Sequence, residues 1–268
     1  MFDQLKTRSR RFLARRRRHS SVQALHRVAM FIEEAYDNDE WDMSVNGETA
    51  LMRRLAPARF SVAFDVGAHV GNWSIEALRT WRRAHVHAFE VAEPTYGRLT
   101  TSIEAAGLSS RATLRRLGLS DAGGSRDMYY YAEHPQLTCD TPRHPYDSTP
   151  FTAQFIDGDS YVEQQGITSI DFMKIDVEGA EHLVLKGLRR TLESGGIQCL
   201  QFEYGAFSIQ TKVLLADYYN VLGSFFWIGK VFPTHVEFRD YQWTMESFRF
   251  SNFLCISRKR PDLKELAS

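Results

Sequence analysis

Apolar residues follow two spacings in turn along the middle of the chain. Phe60–Val66 is a dense apolar run typical of a buried strand, and Asn72–Trp81 repeats apolar residues at the spacing of one helix face. The same alternation then predicts a strand at His85–Val91, a helix at Thr95–Ala106, a strand at Thr113–Leu119, a strand at Ser169–Ile175, a helix at Ala180–Leu192, a strand at Gln198–Tyr204 and a helix at Gln210–Leu222. Strands that alternate with helices are typical of a parallel sheet covered on both faces.

Two last strands are predicted at Ser224–Ile228 and Asn252–Ser257, with no strong helix between them. A pair without a crossover helix favours an antiparallel arrangement at the end of the sheet. The pattern as a whole predicts an α/β fold with a doubly wound, mostly parallel sheet of seven strands.

Three stretches fall outside this alternation. Residues 121–158 are rich in Pro, Thr, Asp and Tyr and predict an insertion, a hairpin with a loop. Ser21–Tyr36 and Glu48–Leu55 have helical spacing and predict helices that cap the sheet or cover a pocket. We therefore divide the chain into a basic, flexible leader (residues 1–20), a helical extension (21–58) and an α/β domain (59–260).

Composition narrows the class of protein. The 268 residues are 43% hydrophobic, and 33 basic residues balance 33 acidic ones, so no overall charge favours nucleic acid as a partner. No apolar stretch is long enough to span a bilayer. Cys139, Cys199 and Cys255 are too few and too scattered for a disulfide framework or a thiolate metal site, which favours a reducing cytoplasm.

The leader is locally very basic. Lys6–His19 is dominated by arginine, with Phe12 and Leu13 embedded in it. One interpretation is peripheral contact with an anionic membrane, which would place the protein at the inner face of the membrane. The other is a solvated leader without a partner, since basic tails are common.

A glycine turn follows the first predicted strand. Gly67 and Gly71 in VAFDVGAHVGNWS stand four apart between strand and helix, where backbone N–H groups can face a ligand. A dinucleotide-binding G-x-G-x-x-G motif would need a third glycine, and position 69 is His. A tight strand-to-helix connection without a ligand is the alternative.

Polar residues end the next two predicted strands. Glu90 follows Gly67 by 23 positions, where a doubly wound fold places the carboxylate that accepts from both ribose hydroxyls. Ser120 and Asp121 reach the same edge and are predicted to bond an adenine. An ordinary Ser-Asp turn is the alternative for this pair.

The stretch IDFMKIDVEGAE carries Lys174, Asp176 and Glu178 at alternate positions, which in a strand point to one face. A charged face in a central strand is expensive unless its side chains are paired or meet a ligand. Favourable contact of Glu178 and Glu181 with the N-terminus of the next helix explains only the glutamates.

These segments together resemble the FkbM family of S-adenosylmethionine-dependent methyltransferases. The resemblance rests on FDVGAHVGNWS, HAFEVAEPTYGRL, LGLSDAGG, IDFMKIDVEGAEHLVLKG and SNFLCIS, and covers roughly residues 60–257. It implies a class I methyltransferase (Rossmann-like) fold, S-adenosylmethionine as cofactor, and O-methylation of a sugar, glycolipid, polysaccharide or polyketide-type acceptor. It does not imply a particular oligomeric state.

The resemblance also implies site residues. The methionine part of the cofactor would lie along Asp65, Gly67, Ala68, His69, Gly71 and Asn72, the ribose at Glu90 and Val91, and the adenine near Ser120 and Asp121. Asp176 would face the methyl donor. Many relatives have a glutamate closely followed by histidine after the fifth strand. Here the run is QFEYG, so the chain departs from that pattern and has no histidine at that point.

We therefore expect Asp176 or Glu203 to accept the hydroxyl proton, and the spacing demands no metal. Two other functions stay open at this stage: a nucleotide-dependent oxidoreductase, and a non-catalytic, membrane-associated module on the same fold. A nucleic-acid amino-methyltransferase is disfavoured, because no N-P-P-Y-like element follows the fourth strand.

Overall fold

A computed structural model describes residues 2–142 and 144–268 of the chain. Its helices are α1 (Phe2–Arg15), α2 (Ser20–Asp37), α3 (Glu48–Arg54), α4 (Asn72–Thr80), α5 (Glu93–Ala105), α6 (Gly158–Gln164), α7 (Glu181–Gly187), α8 (Arg189–Ser194), α9 (Ser208–Thr211), α10 (Leu215–Leu222) and α11 (Pro261–Ala267). Its strands are β1 (Val62–Val66), β2 (His85–Phe89), β3 (Ala112–Arg115), β4 (Gly118–Ser120), β5 (Gly124–Tyr130), β6 (Thr149–Asp157), β7 (Ile170–Ile175), β8 (Ile197–Tyr204), β9 (Phe226–Val231), β10 (Val236–Phe238) and β11 (Ser251–Ser257).

The main sheet has eight strands in the order β10-β9-β11-β8-β7-β1-β2-β3. The five strands from β8 to β3 are parallel, and β11 runs antiparallel between β8 and β9. The class of fold agrees with the prediction, but the strand count of seven is wrong. The extra strand is Val236–Phe238, which pairs with β9 at the sheet edge and is too short to show a period in the sequence.

The predicted strand Thr113–Leu119 is in fact two strands in two sheets. Ala112–Arg115 pairs with β2, whereas Gly118–Ser120 leaves the main sheet and pairs with β6 in a second sheet of order β4-β6-β5. A Cβ on Gly118 would lie 2.3 Å from the Phe155 ring, so the bare glycine lets the two strands approach. The second sheet is built from the insertion, whose β5 and β6 form an antiparallel pair.

Two predicted helices are also interrupted. The segment predicted as one helix over residues 180–192 divides into α7 and α8 at Leu188. Just before the break, a Cβ on Gly187 would lie 1.8 Å from the carbonyl oxygen of Ser120, so α7 packs directly on β4. Similarly, Lys212 adopts a left-handed conformation (φ 60°) and ends α9 before α10 begins.

The core lies on both faces of the main sheet. On one face Phe60, Trp73, Trp81 and Phe172 pack together, with the Phe60 and Trp81 ring centroids 4.9 Å apart. On the other face Phe202 stacks on Tyr218 with centroids 4.4 Å apart. The three cysteines are free and buried.

The helices of the N-terminal region differ in burial. The short helix α3 is buried through Leu51 and Met52. By contrast, the leader expected to be flexible is helical as α1, and its side chains described from Gln4 onward are exposed. Leucine, alanine, arginine and glutamine are good helix formers, so propensity alone favours this helix. No helix in the described part of the chain is long and apolar enough to cross a membrane.

Candidate active site

The β1–α4 turn brings bare backbone to the carboxyl end of the sheet. Gly67 has φ +86°, and the backbone N–H groups of Gly67 and Ala68 both donate to the Phe89 carbonyl of β2. A Cβ on Gly67 would lie 1.8 Å from the carbonyl oxygen of Asp176. Glycine is therefore required here by conformation and by the close approach of the chain after β7.

Gly71 has a different task. It is the N-cap of α4 with φ +90°, and a Cβ there would lie 2.7 Å from Leu99 of α5. Gly71 therefore serves helix packing and does not line the cavity described below.

Glu90 lies beside the glycine turn and is nearly buried, at 8% exposure. Its carboxylate accepts from the backbone N–H of His69 at 3.1 Å and of Ala92 at 2.9 Å. Burial raises the pKa of Glu90 to about 7, although these N–H donors oppose the shift. Each carboxylate oxygen keeps a lone pair for a further donor.

Asp65, the fourth residue of β1, is fully buried behind the turn. The Ser74 hydroxyl donates to its Oδ2 at 2.6 Å, while its Oδ1 has no hydrogen-bond partner. Burial raises the pKa of Asp65, and the Lys174 ammonium works in the opposite direction. A buried carboxylate oxygen without a donor is costly, so this atom is available to a ligand donor.

Lys174 and Asp176 form an ion pair at the end of β7, with Nζ 2.6 Å from Oδ2. Burial alone would raise the pKa of Asp176, but the charge of Lys174 and a hydrogen bond with Glu203 hold it below its ordinary value. Burial and the charge of Asp176 raise the pKa of Glu203 well above its ordinary value. The two carboxyl groups therefore titrate as a pair, in which Asp176 loses its proton more readily than Glu203.

The alternating run expected in this strand ends at Ile175. Glu178 lies in the following turn with φ +54°, so it is not the third member of a strand face. Glu181 begins α7, and its Oε1 accepts from the backbone N–H groups of Val177 and Gly179. Glu181 thus holds together the turn that precedes α7.

Glu48 is a functional candidate that the sequence interpretation missed. It is 5% exposed at the start of α3, and its carboxylate accepts from the side-chain amides of Asn46, Gln201 and Asn252 at 2.9, 2.7 and 3.2 Å. Its charge helps raise the pKa of Lys174 against the lowering effect of burial. The signal was weak, because an acid in the first turn of a helix ordinarily favours the helix N-terminus.

Ser120 and Asp121 are held by basic side chains. Arg126 Nη1 donates to Ser120 Oγ at 2.6 Å, and Arg126 Nη2 donates to Asp121 Oδ1 at 3.0 Å. The hydrogen bond from Lys186 is the largest influence that lowers the pKa of Asp121, which is about 2. Asp121 is thus occupied by an ion-pair network and does not line the cavity, whereas Ser120 and Arg126 do.

One cavity of about 730 Å³ joins these groups. Its wall includes the predicted residues Asp65, Gly67, Ala68, His69, Asn72, Glu90, Val91, Ser120, Asp176 and Glu203. It also includes residues that the sequence interpretation did not place there, among them Trp41, Met43, Glu48, Arg126, Phe155, Phe250 and Asn252. These residues come from the extension, from the insertion and from β11 with the loop before it. The three segments are far apart in the sequence, so no local pattern indicates that they meet at one cavity.

Metal binding is not indicated by the geometry. Over residues 2–142 and 144–268, no group of three or more His, Cys, Asp or Glu side chains is arranged to hold a metal ion. His69 lines the cavity, and burial lowers its pKa, so its imidazole is neutral at neutral pH.

The sequence profile of the methyltransferase FkbM domain matches residues 65–242, which contain the glycine turn, Glu90 and the Lys174–Asp176 pair. The chain belongs to the FkbM methyltransferase family. Membership of this family disfavours the nucleotide-dependent oxidoreductase among the alternatives. The family implies a methyl donor of the S-adenosylmethionine type.

The chain is also similar in sequence or in structure to individual methyltransferases. The hexuronic acid methyltransferase AglP of Haloferax volcanii is 28% identical over 156 residues, which are 58% of this chain and 62% of that protein. A crystal structure of methyltransferase FkbM from Methylobacillus flagellatus KT aligns with a TM-score of 0.49 and 17% identity, over 74% of this chain and 44% of that one. The O-methyltransferase from Bacillus cereus in complex with SAH aligns with a TM-score of 0.46 and 10% identity, over 88% and 91%.

Proposed function

We propose that the protein is an S-adenosylmethionine-dependent O-methyltransferase whose acceptor is a hydroxyl of a sugar, glycolipid, polysaccharide or polyketide-type molecule. The proposal rests on one observation: two groups line the same cavity. One is Glu90 with the glycine backbone beside it, and the other is the carboxyl pair of Asp176 and Glu203. The first can bind a donor, and the second can take a proton.

The end of the cavity that contains Asp65, Gly67 and Glu90, the donor end, has groups that fit S-adenosylmethionine. Glu90 would accept from the ribose hydroxyls, and the unpartnered Asp65 Oδ1 would accept from the ammonium of the methionine part. Ser120 and the Phe155 ring would border the adenine, with Gly67 and Ala68 along the chain between these groups. When bound, the cofactor supplies an electrophilic methyl group beside a positive sulfur.

Asp176 would act as the proton acceptor. Lys174 Nζ lies 2.6 Å from its carboxylate and lowers its pKa, so Asp176 would accept the hydroxyl proton of the acceptor when a bound cofactor supplies the methyl group. Glu203 would hold Asp176 in place by donating its proton to it. Lys174 orients Asp176 and keeps it charged.

The charge of the acceptor end favours a neutral hydroxyl over a carboxylate. Among the described residues that line this end, Glu48 and Asp176 contribute two carboxyl groups and Lys174 one ammonium. An anionic acceptor would meet repulsion in a partly buried site, where charges are weakly screened. The hexuronic acid methyltransferase named above supports a sugar acceptor. Because a hexuronic acid carries a carboxylate, we propose the uncharged sugar hydroxyl from the charge of this cavity and not from that relative.

Aromatic side chains support a ring-shaped acceptor. Trp41 lines the cavity and is 80% exposed, and Phe250 lies in the same wall. Exposed aromatic faces present flat apolar area at little cost in conformational entropy. Trp41 would form a platform for a sugar ring at the cavity mouth.

The test is incubation of the protein with isotope-labelled S-adenosylmethionine and fractionated cell glycans and lipids, followed by mass spectrometry of labelled products. We expect label as an alkali-stable methyl ether on a neutral sugar. An alkali-labile methyl ester would show that a carboxylate is the acceptor and overturn the hydroxyl proposal. Label on nucleic acid alone would overturn the acceptor class.

A further inference from the structure

The α2 helix turns an apolar stripe away from the protein. Leu25, Val28, Ile32 and Tyr36 recur at the spacing of one helix face, and they are 57%, 54%, 58% and 82% exposed. No residue of α2 is buried. An amphipathic helix of a globular protein ordinarily turns such a stripe toward the core.

The charged face of α2 attaches the helix to the body of the protein. Glu33 Oε2 lies 3.2 Å from Arg249 Nη2, and Asp37 lies 3.6 Å from Lys230 Nζ and 3.9 Å from Arg249 Nε. Glu33 and Asp37 are four positions apart on one side of α2, about a third of a turn around the helix from the apolar stripe. The helix therefore forms ion pairs with the protein on one side and leaves the apolar stripe facing solvent.

The α1 helix adds positive charge next to this stripe. Eight Lys and Arg residues lie between positions 6 and 18, and no acidic residue occurs from Lys6 to Ile32. Leu5 and Phe12, seven positions apart on one face of α1, are 64% and 53% exposed. A basic helix with an exposed apolar face has the composition of helices that lie in a membrane interface.

We propose that α1 and α2 dock the protein on an anionic membrane surface. The apolar side chains would enter the boundary between head groups and acyl chains, and the basic side chains of α1 would contact anionic head groups. A second copy of this chain fits the surface less well, because it would bring a second block of positive charge against the first. Charge complementarity therefore favours an anionic lipid surface as the binding partner of α1 and α2.

Docking in this orientation also bears on the cavity. Trp41 follows the last residue of α2, Asp37, by four positions and lies in the cavity wall. A docked α2 would hold this part of the wall within a few residues of the lipid surface. An acceptor carried by a lipid would then be presented to the cavity; this last step rests on the proposed function.

Sedimentation of the full chain with two kinds of vesicle tests the docking. One kind is phosphatidylcholine alone, and the other is equal parts of phosphatidylcholine and phosphatidylglycerol. We expect binding to the mixed vesicles only, weakening as salt is raised. Replacing Arg8 or Arg15 by Gln should weaken it by about fivefold for each residue.

Ile32→Ser tests the apolar stripe, and Gln23→Ser on the opposite face of α2 is its matched control. We expect Ile32→Ser to weaken vesicle binding by about tenfold and Gln23→Ser to leave it close to that of the wild type. Calorimetric binding of S-adenosylhomocysteine, unchanged in Ile32→Ser, would show that the variant is folded. This readout separates the docking from the proposed function.

Three outcomes would overturn the proposal. The first is equal vesicle binding by Ile32→Ser and the wild type. The second is equal binding to both kinds of vesicle. The third is a wild-type dimer that Ile32→Ser converts to a monomer while neither binds vesicles, because the stripe would then be a contact between two copies.

Discussion

The Lys174 ammonium lies 2.6 Å from the Asp176 carboxylate, and this one contact decides the charge state of the reacting end of the cavity. It lowers the pKa of Asp176 although burial opposes the charge, whereas burial and the charge of Asp176 raise the pKa of the neighbouring Glu203. Two carboxyl groups that looked equivalent in the sequence therefore have different tasks.

Replacing Asp176 by Asn should lower turnover by about 100-fold or more and leave donor binding nearly unchanged, because the amide keeps the shape but accepts no proton. Glu203→Gln should be milder, since Gln still donates a hydrogen bond to Asp176 as the protonated acid does. Turnover measured at saturating donor checks both. Normal turnover in Asp176→Asn with collapse in Glu203→Gln would make Glu203 the base.

Removing the Lys174 charge should destabilise the fold. Its side chain is 11% exposed and that of Asp176 is 29% exposed, so Lys174→Met leaves a largely desolvated carboxylate without its partner. We expect a loss of about 3 kcal/mol in the free energy of unfolding, measured with urea. Lys186→Met is the matched control, because Lys186 pairs with Asp121 at a side-chain exposure of 70% and should cost under about 1 kcal/mol. Equal losses in the two variants would contradict the burial argument.

Glu90→Ala should weaken binding of S-adenosylmethionine by about 100-fold, since two hydrogen bonds to an ionised group are lost. Glu93→Ala is the control, because Glu93 is 80% exposed and pairs with Arg116 outside the cavity. Calorimetry measures both affinities. An unchanged affinity in Glu90→Ala would refute the ribose role.

The pH dependence of donor binding and of stability should have opposite signs. The pKa of Glu90 is about 7 in the folded protein and near 4.5 when it is unperturbed, so between these values the folded state holds a proton that the unfolded state lacks. Glu90 therefore makes the donor-free protein less stable as pH rises through this window. Donor affinity should instead increase as the carboxylate ionises, and titrations about 1 unit below and above pH 7 check this. A Glu90→Ala variant with the same pH dependence would assign the effect to another group.

Gly67→Ala should abolish donor binding and destabilise the protein, because the new Cβ would lie 1.8 Å from the Asp176 carbonyl oxygen in a left-handed conformation. Gly97→Ala is the control. Gly97 lies within α5 with nothing within 4 Å of an added Cβ, so alanine should stabilise the helix by about 0.5 to 1 kcal/mol. Thermal unfolding and calorimetry measure the two effects. Normal donor binding by Gly67→Ala would contradict this prediction, because it would show that the turn can accommodate a Cβ at position 67.

The sequence by itself determined the alternation of strands and helices and the residues at the ends of β1, β2 and β7. Local periodicity and the glycine spacing carry this information, because each element is built from neighbouring residues and parallel strands present their carboxyl ends at one edge. The resemblance to the FkbM family rests on the same segments and added Asp65 to these residues. Asp65, Gly67, Glu90 and Asp176 were found in this way, and all four line one cavity.

Only the tertiary structure decided which side chains complete the site and which proton each one holds. Glu48 and Asn252 are 204 positions apart and meet at 3.2 Å, a contact that no periodicity encodes. Long-range packing likewise decides three other features. The strand β4 pairs in a second sheet, Lys186 forms an ion pair with Asp121, and the apolar stripe of α2 faces solvent. Ionisation depends on burial and on neighbouring charges in space, so the difference between Asp176 and Glu203 exists only in the folded chain.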